Sequence, residues 1–365
     1  MRSAVLILAL ASVAAGKLLF LAVIWRHGDR APSDLPYPND KNGEDKWPRG
    51  WNQLTNTGMQ QCYALGDWLR DEYTKDIEHI KPVFDHDEVY VRSTDSERAL
   101  TSAQAVMAGL FPPKKNFEWS KKVEDWQPTP IHSNGDGDDP LLKPTSIDCP
   151  AYDSVVAAQN SAQTASLNMN YASLYEYLRK NSGMPTVDAS NVDDLYDIER
   201  EIGHDMPQPS WVTDDVMEQL RELKRILRTS EFNTPEKAHL RGGFLLNDWV
   251  SRINDAASGV KDAMKTVLYS AHDGTLSSLM YAFGIGNNQL IPYAASVIAE
   301  LHREKDGDFV KLFYKNNTHL EKPGKKAVLM TIPGCSSRCP LATFNSLLAS
   351  MRVNSTQALD KLCKQ

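Results

Sequence analysis

Three short segments of the chain combine basic side chains with groups that can attack or protonate a substrate. The first is RHGDR at positions 26–30, the second is Arg92, and the third is HDG at 272–274. Arginine binds phosphate oxygens through its planar fork, and a neutral imidazole is a nucleophile. A carboxyl group beside such a cluster can protonate a leaving oxygen. The residue types therefore predict phosphoryl transfer through a histidine, without a metal.

Each of these segments follows a predicted strand. Residues 18–25 form a nearly continuous apolar run, and residues 88–91 (EVYV) and 266–270 (TVLYS) are two further strand patterns. Continuous apolar runs are typical of strands buried on both faces of a parallel sheet. In such sheets the carboxyl ends of the strands meet at one edge, where ligands bind. After the second strand, residues 94–97 (TDSE) match a capping box and predict a helix start, whose free N–H groups favour an anion.

The middle of the chain differs from both ends. Residues 151–240 carry helical patterns and almost no strand signal, and alternation of strands and helices then returns, with a hairpin predicted from 296–301 and 309–314. This order predicts an α/β fold with a mostly parallel central sheet flanked by helices and an inserted α-helical cap domain. The predicted units are an α/β catalytic domain at 17–134 and 238–345, a helical cap at 135–237, and a C-terminal tail at 346–365.

The first 16 residues predict a secretory signal peptide, with a basic start, a short apolar core and small residues at the end. A signal anchor is the alternative, because residues 18–25 are also apolar, although Lys17 interrupts the run. No later segment approaches the ~20 apolar residues of a membrane helix, so we expect no membrane span in a secreted, or alternatively lysosomal, protein. Sequons at Asn316 and Asn354 fit glycosylation in either destination.

Charge and histidine spacing exclude several functions. With residues 1–16 removed, 39 basic and 47 acidic side chains remain, a net charge of −8. A basic stripe for nucleic acid is therefore not expected. The 9 histidines are scattered and form no metal-binding motif. We expect neither a metal nor another cofactor.

The 5 cysteines predict disulfides in a secreted protein. Cys335 and Cys339 could close a tight loop, and Cys149 could pair with Cys363 to pin the C-terminal tail. Cys62 would then be left on a helical pattern, where a buried free thiol is a simpler interpretation than a reactive one.

Several segments resemble a known family. RHGDRAP at 26–32 and SAHD at 270–273 resemble the motifs of the histidine acid phosphatases, a branch of the phosphoglycerate-mutase-like superfamily. YVRSTDSERAL at 90–100 and PGCSSRCPL at 333–341 are similar to segments of the prostatic and lysosomal members. The resemblance covers nearly the whole chain after residue 16 and is weakest in the predicted cap.

The resemblance implies a role for individual residues. His27 would be transiently phosphorylated, and Asp273 would protonate the leaving group. Two predicted disulfides fall where the family places them, whereas the family's third is missing: Arg200 and Ala295, or close neighbours, occupy its place. His86 would lie at the pocket edge, or else be an exposed loop residue. The implied phosphate-binding residues are Arg26, Arg30, Arg92 and His272.

The same resemblance implies activity at acid pH. Asp273 must be protonated to act as an acid, whereas His27 must be neutral to attack. A cluster of arginines opposes protonation of His27 by like charge, so the nucleophile stays neutral below the usual histidine pKa.

Substrate and assembly remain open at this stage. We expect a small-molecule or phosphoprotein phosphomonoester as substrate and no nucleic-acid partner. The resemblance also implies a homodimer. One alternative is a phytase-like phosphatase, but residues 185–215 are net acidic, whereas a polyanionic substrate needs extra cations. A catalytically silent phosphate-binding protein is the other alternative, which the intact motifs disfavour.

Overall fold

The computed structural model describes residues 16–123, 126–316 and 326–365, so residues 1–15 of the predicted signal peptide lie outside it. A seven-stranded sheet forms the centre, with strand order β2-β3-β1-β4-β5-β6 and with β7 beside β5. The strands are β1 (Lys17–Arg26), β2 (Val89–Ser93), β3 (Thr266–Ala271), β4 (Ser296–Glu304), β5 (Gly307–Lys315), β6 (Val328–Met330) and β7 (Cys339–Pro340).

Helices cover the sheet and fill the region between β2 and β3. They are α1 (Asn56–Arg70), α2 (Glu97–Leu110), α3 (Pro150–Asn170), α4 (Ala172–Ser182), α5 (Ile198–Gly203), α6 (Asp214–Ser230), α7 (Pro235–Ser258), α8 (Asp273–Ala282), α9 (Leu341–Leu348) and α10 (Thr356–Cys363).

The sheet is mixed. Strand β3 pairs in parallel with both β1 and β2, whereas β4, β5, β6 and β7 join by antiparallel pairing. The predicted α/β class is confirmed, and β4 and β5 form the predicted hairpin. Within the described strands, parallel pairing is limited to the two contacts of β3, so the sheet is less parallel than predicted. The reason is that the chain returns by a hairpin after β4 rather than by further helical crossovers.

Strand β1 is buried on both faces, which explains its continuous apolar sequence. Leu21, Val23 and Trp25 pack in a hydrophobic cluster with α1 and α2. The alternate residues Ala22 and Ile24 pack in a second cluster with α7 and α8. Two helical layers thus fix the sheet from both sides and define the edge at which β1 and β3 end.

Helices α4, α5 and α6 share a hydrophobic cluster of their own. Leu178, Ile198 and Leu220 are each fully buried in it. Tyr37, from the loop after β1, also belongs to this cluster, so the helical block packs on the loop that follows the first motif. Whether 135–237 is a separate cap domain stays a prediction.

Both predicted disulfides are present. Cys149, before α3, is bonded to Cys363 at the end of α10, and Cys335 is bonded to Cys339. Cys62 is unpaired and buried in α1, and burial raises the pKa of its thiol to about 12. Within the described ranges, no helix is both long and apolar enough to cross a bilayer.

Candidate active site

The ends of β1 and β3 hold His27 between them. The His27 backbone N–H donates to the carbonyl oxygen of Ala271 at 2.9 Å, and the His27 carbonyl accepts from the Ala294 N–H at 3.2 Å. Because Ala271 ends β3, the residues that follow it, His272 and Asp273, begin next to His27. Parallel pairing therefore brings the first and third motifs together, as the sequence predicts.

Two glycines let the loop after β1 lie directly on helix α1. A Cβ atom on Gly28 would be 2.2 Å from the Gly58 carbonyl oxygen, and one on Gly58 would be 2.1 Å from the Asp29 carbonyl oxygen. Helix α1 begins there, with the Gly58 N–H donating to Thr55 Oγ1 at 3.0 Å. Side chains larger than hydrogen would separate the two backbones, so these glycines fix the position of the loop.

The His27 ring is oriented by its own loop. Nδ1 lies 2.8 Å from the carbonyl oxygen of Gly28. Because a carbonyl only accepts, Nδ1 carries the proton of the neutral ring and Nε2 keeps its lone pair. Burial is the main cause of a pKa well below the usual histidine value, and the charges of Arg26 and Arg98 add to it. The ring is thus a neutral imidazole with a free Nε2.

Three arginines line the same cavity as His27: Arg26, Arg30 and Arg98. The Nε atoms of Arg26 and Arg98 are buried and have no hydrogen-bond partner among the described residues. Burial, followed by the charge of Arg200, lowers the pKa of Arg30 to about 10. Unpaired buried donors and crowded cations are costly unless an anion joins them. The cluster is therefore suited to bind a phosphate group.

The structure does not bring Arg92 to this cavity. Arg92 lies within β2 rather than after it, and its Nη2 donates to Asp139 at 2.8 Å. It lines a second cavity, beside Tyr90 and Arg252. Side chains alternate along a strand, so Val91 and Ser93 take one face and Arg92 the other. Arg98, in the first turn of α2, is the arginine that the second motif delivers.

The His272 ring lies 5.5 Å from that of His27, centroid to centroid. Its side chain accepts a hydrogen bond from the Thr275 N–H, and its Nε2 is 3.0 Å from Thr94 Oγ1. Burial, then the charge of Arg98, lowers the pKa of His272 to about 3. Helix α2 begins at Glu97 without a side-chain cap, so Thr94 holds His272 instead of capping the helix as the sequence predicts.

Asp273 opens helix α8 beside these histidines. Its Oδ2 accepts from Arg228 Nε at 2.8 Å. Burial alone would raise the pKa of Asp273, but the guanidinium groups of Arg228 and Arg26 outweigh it and hold the pKa well below the usual range. These cations therefore favour the ionised form of the carboxyl group.

The sequence of the whole domain decides the family. Residues 17–315 match the family model of the histidine phosphatase superfamily (branch 2). The chain belongs to this superfamily. The rat (Rattus norvegicus) prostatic acid phosphatase is 36% identical to this phosphatase, with 92% of this chain and 86% of the relative covered. The lysosomal acid phosphatase of Xenopus laevis is 35% identical, with 91% and 76% covered.

Solved structures agree with this phosphatase in fold. The Hafnia alvei phytase in complex with tartrate has a TM-score of 0.71 at 18% identity, covering 94% of this chain and 99% of the other. The Klebsiella sp. ASR1 phytase also has a TM-score of 0.71, at 15% identity, covering 94% and 97%. At this level of identity the likeness supports the central sheet with flanking helices, and no substrate.

The cavity of the phosphatase has a volume of about 840 Å³ and a rim of paired charges. Helices α5 and α6 and the turns before α5 supply most of the rim. Three of its basic side chains are each paired with an acidic neighbour: Arg200 with Asp197, Arg221 with Glu199 and Lys224 with Asp193. The rim also includes the carboxylates of Asp34 and Asp194. The floor is thus strongly basic, whereas the rim has no excess of positive charge.

Sequence reasoning missed several side chains of this cavity. Arg98 carried a usable signal, because the first turn of a helix that follows a strand end points toward that edge. Tyr293 lies in PYA at 292–294, a segment that also resembles the acid phosphatases, but nothing in its residue type or spacing marked it. Its ring lies 4.1 Å from Arg26 Cζ and 5.9 Å from the His27 ring, and its hydroxyl accepts from Arg200 Nε at 2.8 Å. Arg228 likewise arrives from a distant helix.

His86 lies elsewhere. Its side chain is 82% exposed and sits 3.3 Å from the carboxylate of Asp87. His86 does not line the cavity that contains His27. Of the two sequence interpretations of this residue, its position favours the exposed loop histidine.

Proposed function

We propose that this phosphatase hydrolyses phosphate monoesters in two steps through a phosphohistidine at His27. The observation that carries the proposal is the neutral, buried His27 ring, whose Nδ1 is held by the Gly28 carbonyl and which lines one cavity with Arg26, Arg30 and Arg98. In the first step Nε2 attacks phosphorus and a phosphoramidate bond forms. The bond from phosphorus to the ester oxygen breaks, and Asp273 gives its proton to the leaving alcohol.

In the second step water attacks the phosphohistidine. The Asp273 carboxylate accepts a proton from that water, the bond between phosphorus and Nε2 breaks, and orthophosphate leaves with His27 restored. Arg26, Arg30 and Arg98, with His272, would bind the phosphate oxygens in both steps. Preorganised cations of this kind stabilise the charge of a transferring phosphoryl group.

Activity at acid pH follows from the His27 environment. Burial, the arginines and His272 keep the pKa of His27 well below that of an exposed histidine. The nucleophile therefore stays neutral at a pH where Asp273 can acquire a proton. We expect the rate to be highest at acid pH and to fall toward neutrality.

A simple monoester is a better substrate for this cavity than a polyphosphate. The rim cations Arg200, Arg221 and Lys224 are already paired with carboxylates, so a further phosphate beside these three would have to displace ion pairs. The phytase-like alternative predicts efficient release of phosphate from inositol hexakisphosphate. The rim argues against it, and we propose that residues 135–237 act as the cap that imposes this selection.

We further propose secretion, with a lysosomal destination as the alternative. The two disulfides support an oxidising compartment. Asn316 and Asn354 are exposed, as glycosylation requires, although residue 318 of the first sequon lies outside the described residues. N-terminal sequencing of the secreted protein should begin at Lys17. Sedimentation would decide whether it is a homodimer.

The decisive test is hydrolysis of an aryl phosphate by the secreted protein from pH 4 to 8, with a chelator present. We expect turnover near pH 5 that survives the chelator and is lost in His27→Ala. His86→Ala is the matched control and should keep wild-type turnover. Rapid quench into alkali should trap phosphate on His27, because the phosphorus–nitrogen bond of phosphohistidine is stable to alkali and labile in acid. Asp273→Asn should slow alkyl phosphates more than aryl phosphates. A folded but inactive wild type would instead indicate a phosphate-binding protein.

A further inference from the structure

The proposed acid, Asp273, is held by an arginine from outside the sequence motifs. Arg228 lies in the last turn of helix α6, and its Nε donates to Asp273 Oδ2 at 2.8 Å. Its Nη1 donates to Glu231 Oε2 at 2.6 Å, so the guanidinium bridges two carboxylates. Both Arg228 and Asp273 line the cavity. The pair is therefore part of the reacting region.

Gly274 provides the space for this arrangement. A Cβ atom at position 274 would lie 2.6 Å from Arg228 Nη2, closer than a van der Waals contact allows. Gly274 is helical and its φ is not positive, so its backbone does not require glycine. The arginine fork is the feature that this glycine accommodates.

Other charged groups also face Asp273, and they are mostly positive. Helix α6 presents Arg228 and, behind it, Glu231. The end of β1 presents Arg26 and His27, helix α2 presents Arg98, and the residue before Asp273 is His272, with Lys143 close to that histidine. Arg228 is the member of this set that is hydrogen-bonded to the carboxylate.

We infer that Arg228 is a positioning residue for Asp273. In the free enzyme Arg228 holds the Asp273 carboxylate ionised and fixed in place. Once a phosphate group occupies the arginine cluster, Asp273 can be protonated. The inference rests on the proposed function of Asp273 as the acid. A bound phosphate brings one to two negative charges close to the carboxylate and offsets Arg26 and Arg98. Negative charge nearby favours the protonated carboxyl group. Asp273 would therefore take up its proton on substrate binding.

Two kinetic profiles separate the empty and occupied states. The pH dependence of kcat/KM reports ionisations of the free enzyme, and that of kcat reports those of the complex. In the wild type, we expect the alkaline limb of kcat to lie at higher pH than that of kcat/KM. In Arg228→Met, the limb of kcat/KM should move up by about one to three pH units, which is the usual effect of an adjacent arginine on an aspartate.

Three further variants test the cause. Arg228→Lys keeps the charge and should restore most of the wild-type profile. Gly274→Ala leaves every charged residue in place but displaces the fork, so it should resemble Arg228→Met. Arg225→Met is the matched control, because Arg225 also lies on α6 and pairs with Glu222, yet does not line the cavity; its profile should equal the wild type.

The dependence of kcat on the leaving group is a readout that would not change if Arg228 had only a structural role. Alkyl phosphates need protonation of the leaving oxygen more than p-nitrophenyl phosphate does. Loss of positioning should therefore reduce kcat for an alkyl phosphate about tenfold more than for the aryl ester, in both Arg228→Met and Gly274→Ala.

A measurement on the wild type removes any dependence on folding of the variants. Calorimetric titration with orthophosphate at pH 5–6, in buffers of different ionisation enthalpy, counts the protons taken up. Uptake beyond that of phosphate itself, abolished in Asp273→Asn, supports the inference. No such uptake, or unchanged profiles in Arg228→Met and Gly274→Ala with only a lowered Tm, would overturn it. An inactive wild type, or an active His27→Ala, would instead refute the proposed function itself.

Discussion

Arg92 and Arg98 lie six residues apart, and the structure predicts opposite effects for their removal. Arg98 lines the cavity with a buried, unpaired Nε. Loss of one preorganised group that stabilises transition-state charge costs about 10²–10³ in kcat. Arg98→Ala should therefore reduce kcat/KM at least a hundredfold. Because Arg98 is crowded by like charges, including Arg26 and Arg200, its removal should leave the Tm unchanged or raise it.

Arg92→Ala should reduce stability instead. Its partner Asp139 has a side chain that is only 5% exposed, and a buried carboxylate that loses its partner costs about 3–5 kcal/mol. Asp139 Oδ1 still accepts from the backbone N–H groups of Leu141 and Leu142 at 3.1 Å, which favours the lower end. For a chain of 365 residues, with an unfolding entropy of about 2.1 cal/mol/K per residue, about 3 kcal/mol corresponds to a Tm lower by roughly 4 °C. We expect kcat/KM per folded molecule to equal the wild type.

Two assays separate the outcomes. Calorimetry gives the Tm with and without orthophosphate, and the kinetic constants are normalised to active enzyme by the size of the first-turnover burst. Phosphate should stabilise the wild type and Arg92→Ala equally, because a ligand stabilises only the state that binds it, but should stabilise Arg98→Ala far less. Full activity and full phosphate stabilisation in Arg98→Ala, with loss of both in Arg92→Ala, would refute our assignment of the cavity.

Three further substitutions test the residues that hold His27 and its loop in position. Tyr293→Phe deletes the hydroxyl that accepts a 2.8 Å hydrogen bond from helix α5 but keeps the ring, so stability should fall by about 1–3 kcal/mol in urea unfolding with kcat within a few-fold of the wild type. His204 Nε2 lies 2.7 Å from Asp29 Oδ2, and this hydrogen bond raises the pKa of His204. A raised pKa in the folded state stabilises the protein below the unfolded pKa of ~6.5, and this stabilisation is lost as the pH rises through the folded pKa. His204→Gln should therefore lower the Tm more at pH 5.5 than at pH 8.5. Gly58→Ala places a Cβ 2.1 Å from a backbone oxygen, so it should lower the free energy of unfolding by at least about 1–3 kcal/mol and should also reduce activity. Gly203→Ala has nothing within 4 Å of its Cβ, so it should change neither stability nor activity.

The meeting of the first and third motifs could be predicted because it depends only on strand pairing. Apolar runs identified β1 and β3 as buried strands, and their parallel register sets Arg26 opposite Ala271. Residues that follow the two strands must then share one edge. The same reasoning needed no knowledge of the order of the other strands.

The error at Arg92 has a local cause. The sequence pattern predicts a second strand that ends at Val91, whereas β2 continues to Ser93. With two more residues in the strand, Arg92 alternates away from Ser93 and toward Tyr90 and Tyr269. Strand ends are set by tertiary pairing, here with β3. Because side chains alternate along a strand, Arg92 shares a face with Tyr90 and lies opposite to Val91 and Ser93.

The contact between Arg228 and Asp273 could not be predicted from the sequence, and the reason differs from that for Arg92. The two residues are 45 positions apart, and nothing in the amphipathic pattern of α6 marks one basic residue of its polar face above the others. Arg221, Lys224 and Arg225 lie on the same helix and are also paired with acidic residues. Only the packing of α6 over the start of α8 selects Arg228.

The positive field of the cavity acts in opposite directions on the two reacting groups. It favours neutral His27, which the attack requires, and it favours ionised Asp273, which protonation of the leaving group does not. No fixed arrangement of arginines can meet both needs in the empty enzyme. A bound substrate phosphate meets both needs. Its negative charge offsets the positive field at Asp273, while His27 is already in place to attack phosphorus. Substrate binding then favours the protonated, acidic form of Asp273. A compound that lacks the phosphate charge would leave Asp273 ionised and unable to protonate a leaving group.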